Sequence, residues 1–164
     1  MFGLIAFIAA LIPVAVVAPI LVFVGMSMIA TAFNSNHARY YPAVALAMLP
    51  YFANYLMTRF NRGAPEVVEG ISSAIGALGQ GAMFSAILLG AMCVAVIDRQ
   101  FRQATVFALV AAGMAFVGLM HAPKLAWYAA PDFVHGYLLM ALFFAWYAWR
   151  GVEPAVPERV TSAD

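Results

Sequence analysis

A chain of 164 residues of which 66% are hydrophobic and 9% charged is not an ordinary soluble domain, where charged residues make up about 25%. Its mean hydropathy of +0.94 makes lipid the solvent for most side chains, so the chain is expected to be integral to a membrane. Eight Lys and Arg against seven Asp and Glu leave a charge of +1, which gives no basis for a nucleic-acid partner or an acidic ligand held by bulk charge, and the single Cys93 excludes an intrachain disulfide framework and any CxxC motif.

Stretches free of Asp, Glu, Lys and Arg mark the expected crossings, because a helix needs roughly 20 mostly apolar residues to cross about 30 Å of hydrocarbon. Five such stretches occur. The expected fold class is therefore all-α, a polytopic transmembrane helix bundle, since backbone in lipid must bond within its own segment and no barrel-strand alternation is visible. The first stretch, Met1 to Ala38, is too long for one straight span and contains Pro13 and Pro19, each of which removes a helical hydrogen bond. A break is expected there. Phe2 to Leu11 become the tail of one helix, Ile12 to Ala18 a turn or kink, and Pro19 to Phe33 a second helix; one long kinked helix from Phe2 to Ala30 is the alternative. On this reading the chain starts in mid-helix, and a signal peptide is disfavoured because no Lys or Arg precedes the apolar run.

The second stretch, Tyr40 to Thr58, is just long enough for one crossing, and residues 61–81 form an expected linker or insertion. The remaining stretches, Gly70 to Ile97, Gln103 to Pro123 and Phe133 to Trp149, place three further spans within residues 82–150. Lys and Arg counted alternately on the two sides put Arg39, Arg99, Arg102, Arg150 and Arg159 on one side and Arg59, Arg62 and Lys124 on the other, which assigns the first set and the tail, residues 151–164, to the cytoplasm. Tyr40 and Tyr41, Trp127 and Tyr128, and Trp146, Tyr147 and Trp149 form aromatic belts at the span ends.

Few residues suggest chemistry. Ala82, Ala86 and Gly90, and again Ala104, Ala108 and Ala112, recur at helical spacing and suit close helix packing, with a dimer face as the functional alternative. Gly76, Gly79 and Gly81 around Gln80 lack the Lys and Ser/Thr of a phosphate loop and suit a flexible or broken entry to the third long stretch. His121 and His135 with Asp132 between them form a weak metal or haem candidate, the alternative being that they and Lys124 are hydrated at the headgroup level. No metal or other cofactor is expected. Ionisable residues are missing inside the spans, which leaves Asn54 as the strongest intramembrane polar group, with an interhelical hydrogen bond as its expected role and ligand contact, shared with Gln80, as the weaker one. No GxSxG or HExxH motif supports an enzyme.

Ile12-Pro13, Ala18-Pro19-Ile20-Leu21-Val22-Phe23-Val24-Gly25, Tyr41-Pro42-Ala43 and Met48-Leu49-Pro50 recur in an order and spacing that resembles the late spans of the nucleobase/cation symporter family, the xanthine, uracil and vitamin C permeases, especially their adenine/guanine/hypoxanthine branch. The resemblance covers residues 11–60. It implies the gate-domain end of an inverted-repeat transporter that works by ion-coupled alternating access, in the bacterial inner membrane, with the family's acidic substrate contacts on an upstream core domain. That core domain, in the same permease or in a separate chain, is the expected partner besides lipid, and this chain alone would bind no purine. Pro13, Pro19, Pro50, Gly76 and Gly79 are the expected helix-break or gating positions. The stretch 61–81 and the last two spans depart from the family pattern. The alternative is a self-standing accessory or scaffold protein that assembles, as a homo-oligomer, through Ala82, Ala86 and Gly90.

Overall fold

A computed structural model describes residues 14–63 and 73–151. All regular structure among the described residues is helical: α1 (Val14–Asn34), a 3-10 turn (Ala38–Tyr40), α2 (Tyr41–Gly63), α3 (Ser73–Gly79), α4 (Ala82–Ile97), α5 (Phe101–Val117) and α6 (Pro131–Trp149). The chain divides into two compact units, Met1–Ala38 and Arg39–Asp164.

In the first unit, α1 is a helix of 21 residues, about 31 Å long. Its Val17–Asn34 window has a mean hydropathy of 1.8 and none of it is buried in the chain, so among the described residues α1 is the one helix long and apolar enough by itself to cross a membrane. Its polar side chains bond within the helix: Ser27 Oγ, Thr31 Oγ1 and Ser35 Oγ donate to the carbonyls of Phe23, Ser27 and Thr31 at 2.9, 2.8 and 2.6 Å. The turn expected over Ile12 to Ala18 is corrected from Val14 onward, because these residues are helical and Pro19 lies inside α1. Pro19 leaves the Ala15 carbonyl without its helical donor, and the helix continues through it, as α2 does through Pro50. Pro13 and the helix tail expected over Phe2 to Leu11 lie outside the described residues.

In the second unit, α2 runs antiparallel to α3 and α4 together. Gly76 of α3 lies beside Met57, Gly79 beside Asn54 and Gly90 beside Ala47, descending α2 as α3 and α4 advance. At the far end, Arg39 donates to Asp98 Oδ1 at 2.5 Å and the Tyr40 hydroxyl to the same carboxylate at 3.0 Å. The Tyr40 phenol is held above its ordinary value, first by the hydrogen bond it donates to Asp98 and then by burial. The interval assigned to a linker or insertion thus contains a helix, Ser73–Gly79, and α2 extends past Thr58 to Gly63.

A turn over Asp98–Gln100 reverses the chain into α5, whose alanines form the center of the core. Ala104, Ala108, Ala111, Ala112 and Ala115 are buried against Val134, Tyr137, Ala141 and Phe144 of α6 and against Leu88 and Met92 of α4. Side chains of one methyl let these helices approach closely. Ala82 and Ala86 are also buried, and a Cβ on Gly90 would lie 3.3 Å from Ala47 Cβ. That stripe therefore packs inside the chain, against α2, and is not a free dimer face. Outward, α6 exposes Leu138, Leu139, Leu142, Phe143 and Trp146, an apolar surface that soluble monomers rarely leave open to water.

Candidate functional site: an interrupted helix sealed by His121

The interruption between α3 and α4 falls at Gln80 and Gly81. Gly81 takes the left-handed conformation, φ 67°, which glycine adopts at no steric cost. Space demands glycine as well, because a Cβ there would lie 2.4 Å from the Leu119 carbonyl oxygen. Gly79 has a different reason: it is helical, and a Cβ would lie 2.8 Å from the backbone nitrogen of Asn54. Gly76 and Gly79, expected as break or gating positions, are thus packing residues of α3, and the chain turns one step later. Pro50, from the same set, lies inside α2 and is fully buried.

Ending a helix inside a bundle leaves carbonyls without donors, and each unpaired one that is buried costs about 1–3 kcal/mol. Here they are supplied from two sides. Asn54 Nδ2 of α2 donates to the Gly79 carbonyl at 2.9 Å, the interhelical role expected of it. From the loop after α5, the His121 backbone N–H donates to the Gln80 carbonyl at 3.0 Å, and its ring Nδ1 to the Ala77 carbonyl at 3.1 Å. Ser85 Oγ adds a bond to the Gly81 carbonyl at 3.2 Å. Gln80 is the turn residue itself.

His121 is 3% exposed. Its ring stacks on Phe133 with centroids 4.0 Å apart, and its Nε2 lies 2.9 Å from the Tyr137 hydroxyl of α6. A carbonyl only accepts, so Nδ1 carries the proton, and because burial disfavours the charged ring, Nε2 is left to accept from the Tyr137 hydroxyl. Burial holds its pKa below the ordinary histidine value, partly opposed by the bond to Ala77. The backbone at His121 has φ 62°, a left-handed conformation costing a side chain roughly 1–2 kcal/mol, which its three hydrogen bonds offset.

His135 stands apart, exposed, with Nδ1 donating to the Pro131 carbonyl at 2.7 Å and Nε2 accepting from the Tyr128 hydroxyl at 3.2 Å. Asp132 is exposed in the first turn of α6, where its charge suits the helix N-terminus. The trio does not converge, and no group of three His, Cys, Asp or Glu side chains among the described residues is placed to hold a metal. His135, Asp132 and Lys124 are exposed, whereas His121, expected to be hydrated with them, is buried because its loop folds back over the interruption.

The arrangement joins four elements through one histidine: its ring reaches α3 and α6, its backbone N–H the turn before α4, and it sits itself in the loop after α5. It can fix an interrupted helix in place, and it holds the only titratable group in contact with the break among the described residues. Compared with known proteins, the chain matches no family, no curated protein and no solved structure.

Proposed function

We propose that the chain is a segment of a membrane transporter, a gate-like helix bundle that lines one wall of a substrate path and moves against a core domain. The observation that carries this reading is the interruption at Gln80 and Gly81 inside an apolar bundle. Non-helical backbone at membrane depth is tolerated where it is buried in protein or lines a cavity, and broken helices are a recurring device of secondary transporters. Length supports the same reading. At 16 residues α4 is short for a crossing, but α3 and α4 laid end to end reach roughly 35 Å, about the length of the 23-residue α2 beside them.

The substrate class comes from the resemblance of residues 11–60 to nucleobase permeases: purine or pyrimidine bases, carried by ion-coupled alternating access in a bacterial inner membrane with the tail in the cytoplasm. The acidic substrate contacts belong to the core half, so the chain is not competent alone. Uptake of radiolabelled adenine, guanine, xanthine and uracil by transport-deficient cells tests this, comparing the chain alone with the chain fused to or coexpressed with a core half. Uptake only with the core half is the expected result. Uptake in neither arrangement moves the reading to an accessory protein, which would need an assembly face other than the buried Ala82, Ala86 and Gly90 stripe.

A further inference from the structure

We propose that the arginine-rich end of the second unit binds an anionic phospholipid, with the headgroup phosphate held by Arg102 and Arg150 and an acyl chain lying along α6. The proposal rests on the membrane reading above, but not on transport. An exposed groove of about 470 Å³ on α6 is lined by Leu139, Leu142, Phe143, Trp146 and Tyr147. Trp146 is both a wall of this groove and the seat of a cation, because the Arg150 guanidinium lies over its ring at 5.0 Å. A second cation arrives from α5. The Phe101 ring lies 5.3 Å from the Tyr147 ring, so the start of α5, with Arg102 next in sequence, is docked at the groove's upper end. Arg99 lies one turn earlier at the same end.

These cations have no acid to pair with among the described residues. Asp98 is engaged by Arg39 and Tyr40, and Asp132 lies at the opposite end of α6. An apolar groove with guanidinium groups at one end that no described acid neutralises fits an amphiphile with an anionic head. A symmetric second copy would bring more arginine to this end and, among the described residues, no free acid. Arg59 lies at the other end of the bundle, its guanidinium 5.5 Å from the Tyr55 ring and its Nε donating to the Tyr55 hydroxyl at 3.2 Å, away from the α6 groove.

The test is tryptophan quenching in the full chain carrying Trp127→Phe, so that Trp146 and Trp149 are the only reporters, reconstituted into phosphatidylcholine vesicles doped with acyl-brominated phosphatidylglycerol or brominated phosphatidylcholine. Flotation of the protein with the vesicles comes first, and failure to float would sink the membrane reading rather than the site. The expected result is half-quenching at a much lower mole fraction of phosphatidylglycerol than of phosphatidylcholine. In R102Q/R150Q that mole fraction rises about 30-fold, about fivefold per arginine at about 1 kcal/mol each, and R59Q leaves it unchanged. Equal quenching by the two lipids, or no change in R102Q/R150Q, would overturn the proposal. So would displacement by millimolar inorganic phosphate, which makes the site one for a free anion. A lipid preference seen only after removal of residues 152–164 would assign the arginines to the chain's own tail, and one lost on dimerisation would assign the groove to a second copy; either result would also overturn it.

Discussion

Gly81→Ala is expected to destabilise the second unit by about 3 kcal/mol, while Gly113→Ala, one helix away, is expected to stabilise it by about 0.5–1 kcal/mol. Two costs add at Gly81. A side chain at its φ of 67° loses roughly 1–2 kcal/mol to the left-handed conformation, and its Cβ would stand 2.4 Å from the Leu119 carbonyl oxygen. Leu119 cannot yield as a flexible side chain would, because the clash is with backbone in a loop whose next residues, Met120 and His121, are buried. Overpacking of this kind costs about 1–3 kcal/mol. At Gly113 the helix of α5 faces open space, with no atom within 4 Å of an added Cβ, so alanine only narrows the unfolded ensemble. Unfolding midpoints of both variants in a neutral detergent check the pair. Equal midpoints for Gly81→Ala and the parent chain would mean that the helix does not turn over at Gly81.

The second large effect is expected at His121. His121→Ala removes two ring hydrogen bonds and the stack on Phe133, leaves the Tyr137 hydroxyl without a partner and leaves the Ala77 carbonyl with the Gln80 N–H alone, a loss of about 3 kcal/mol. Tyr137→Phe removes only the donor to Nε2 and costs about 1–2 kcal/mol. Because the two share one hydrogen bond, the double variant should lose less than the sum, with a coupling of about 1 kcal/mol in a double-mutant cycle. The pH dependence has a definite sign. The unfolded histidine takes a proton near pH 6.5 while the native one stays neutral to lower pH, so its contribution is complete above about pH 6.5 and is lost as pH falls from there through the lowered native pKa. Midpoints measured from pH 8 to pH 5 should therefore fall below about pH 6.5 in the parent chain and fall less in His121→Phe. A parent midpoint that rises on acidification would contradict a neutral, buried ring.

Much of the helix layout was legible from charge spacing. Arg39, Asp98, Arg99, Arg102, Asp132 and Arg150 each lie within about two residues of a helix end, because an ionised group is costly inside an apolar bundle and inexpensive at its rim. The alanine spacing at Ala104, Ala108 and Ala112 likewise predicts the face of α5 that is buried. Pro19 misled because a helix can carry a proline at the loss of one backbone hydrogen bond, as α2 also does at Pro50, so a proline marks a possible break without fixing one. The three glycines around Gln80 marked the interruption without saying which of them makes it: Gly79 answers to Asn54 and Gly81 to Leu119, neighbours 25 and 38 residues away in sequence. His121 was hidden for the same reason. Nothing in its flanks distinguishes a loop histidine in water from one that seals another helix, and its partners Ala77 and Tyr137 come from elements on either side of it.

The transport reading requires the two ends of the bundle to lie on opposite sides of a membrane, and cysteine labelling measures that directly. In cells expressing the chain with Cys93→Ala, single cysteines are placed at Arg99, in the turn between α4 and α5, and at Lys124, in the exposed loop between α5 and α6. A membrane-impermeant maleimide should label Lys124→Cys in intact cells and Arg99→Cys only after the membrane is permeabilised. Labelling of both positions from the same side, or of both in the soluble fraction, would contradict a bundle that crosses the bilayer and with it a role in transport.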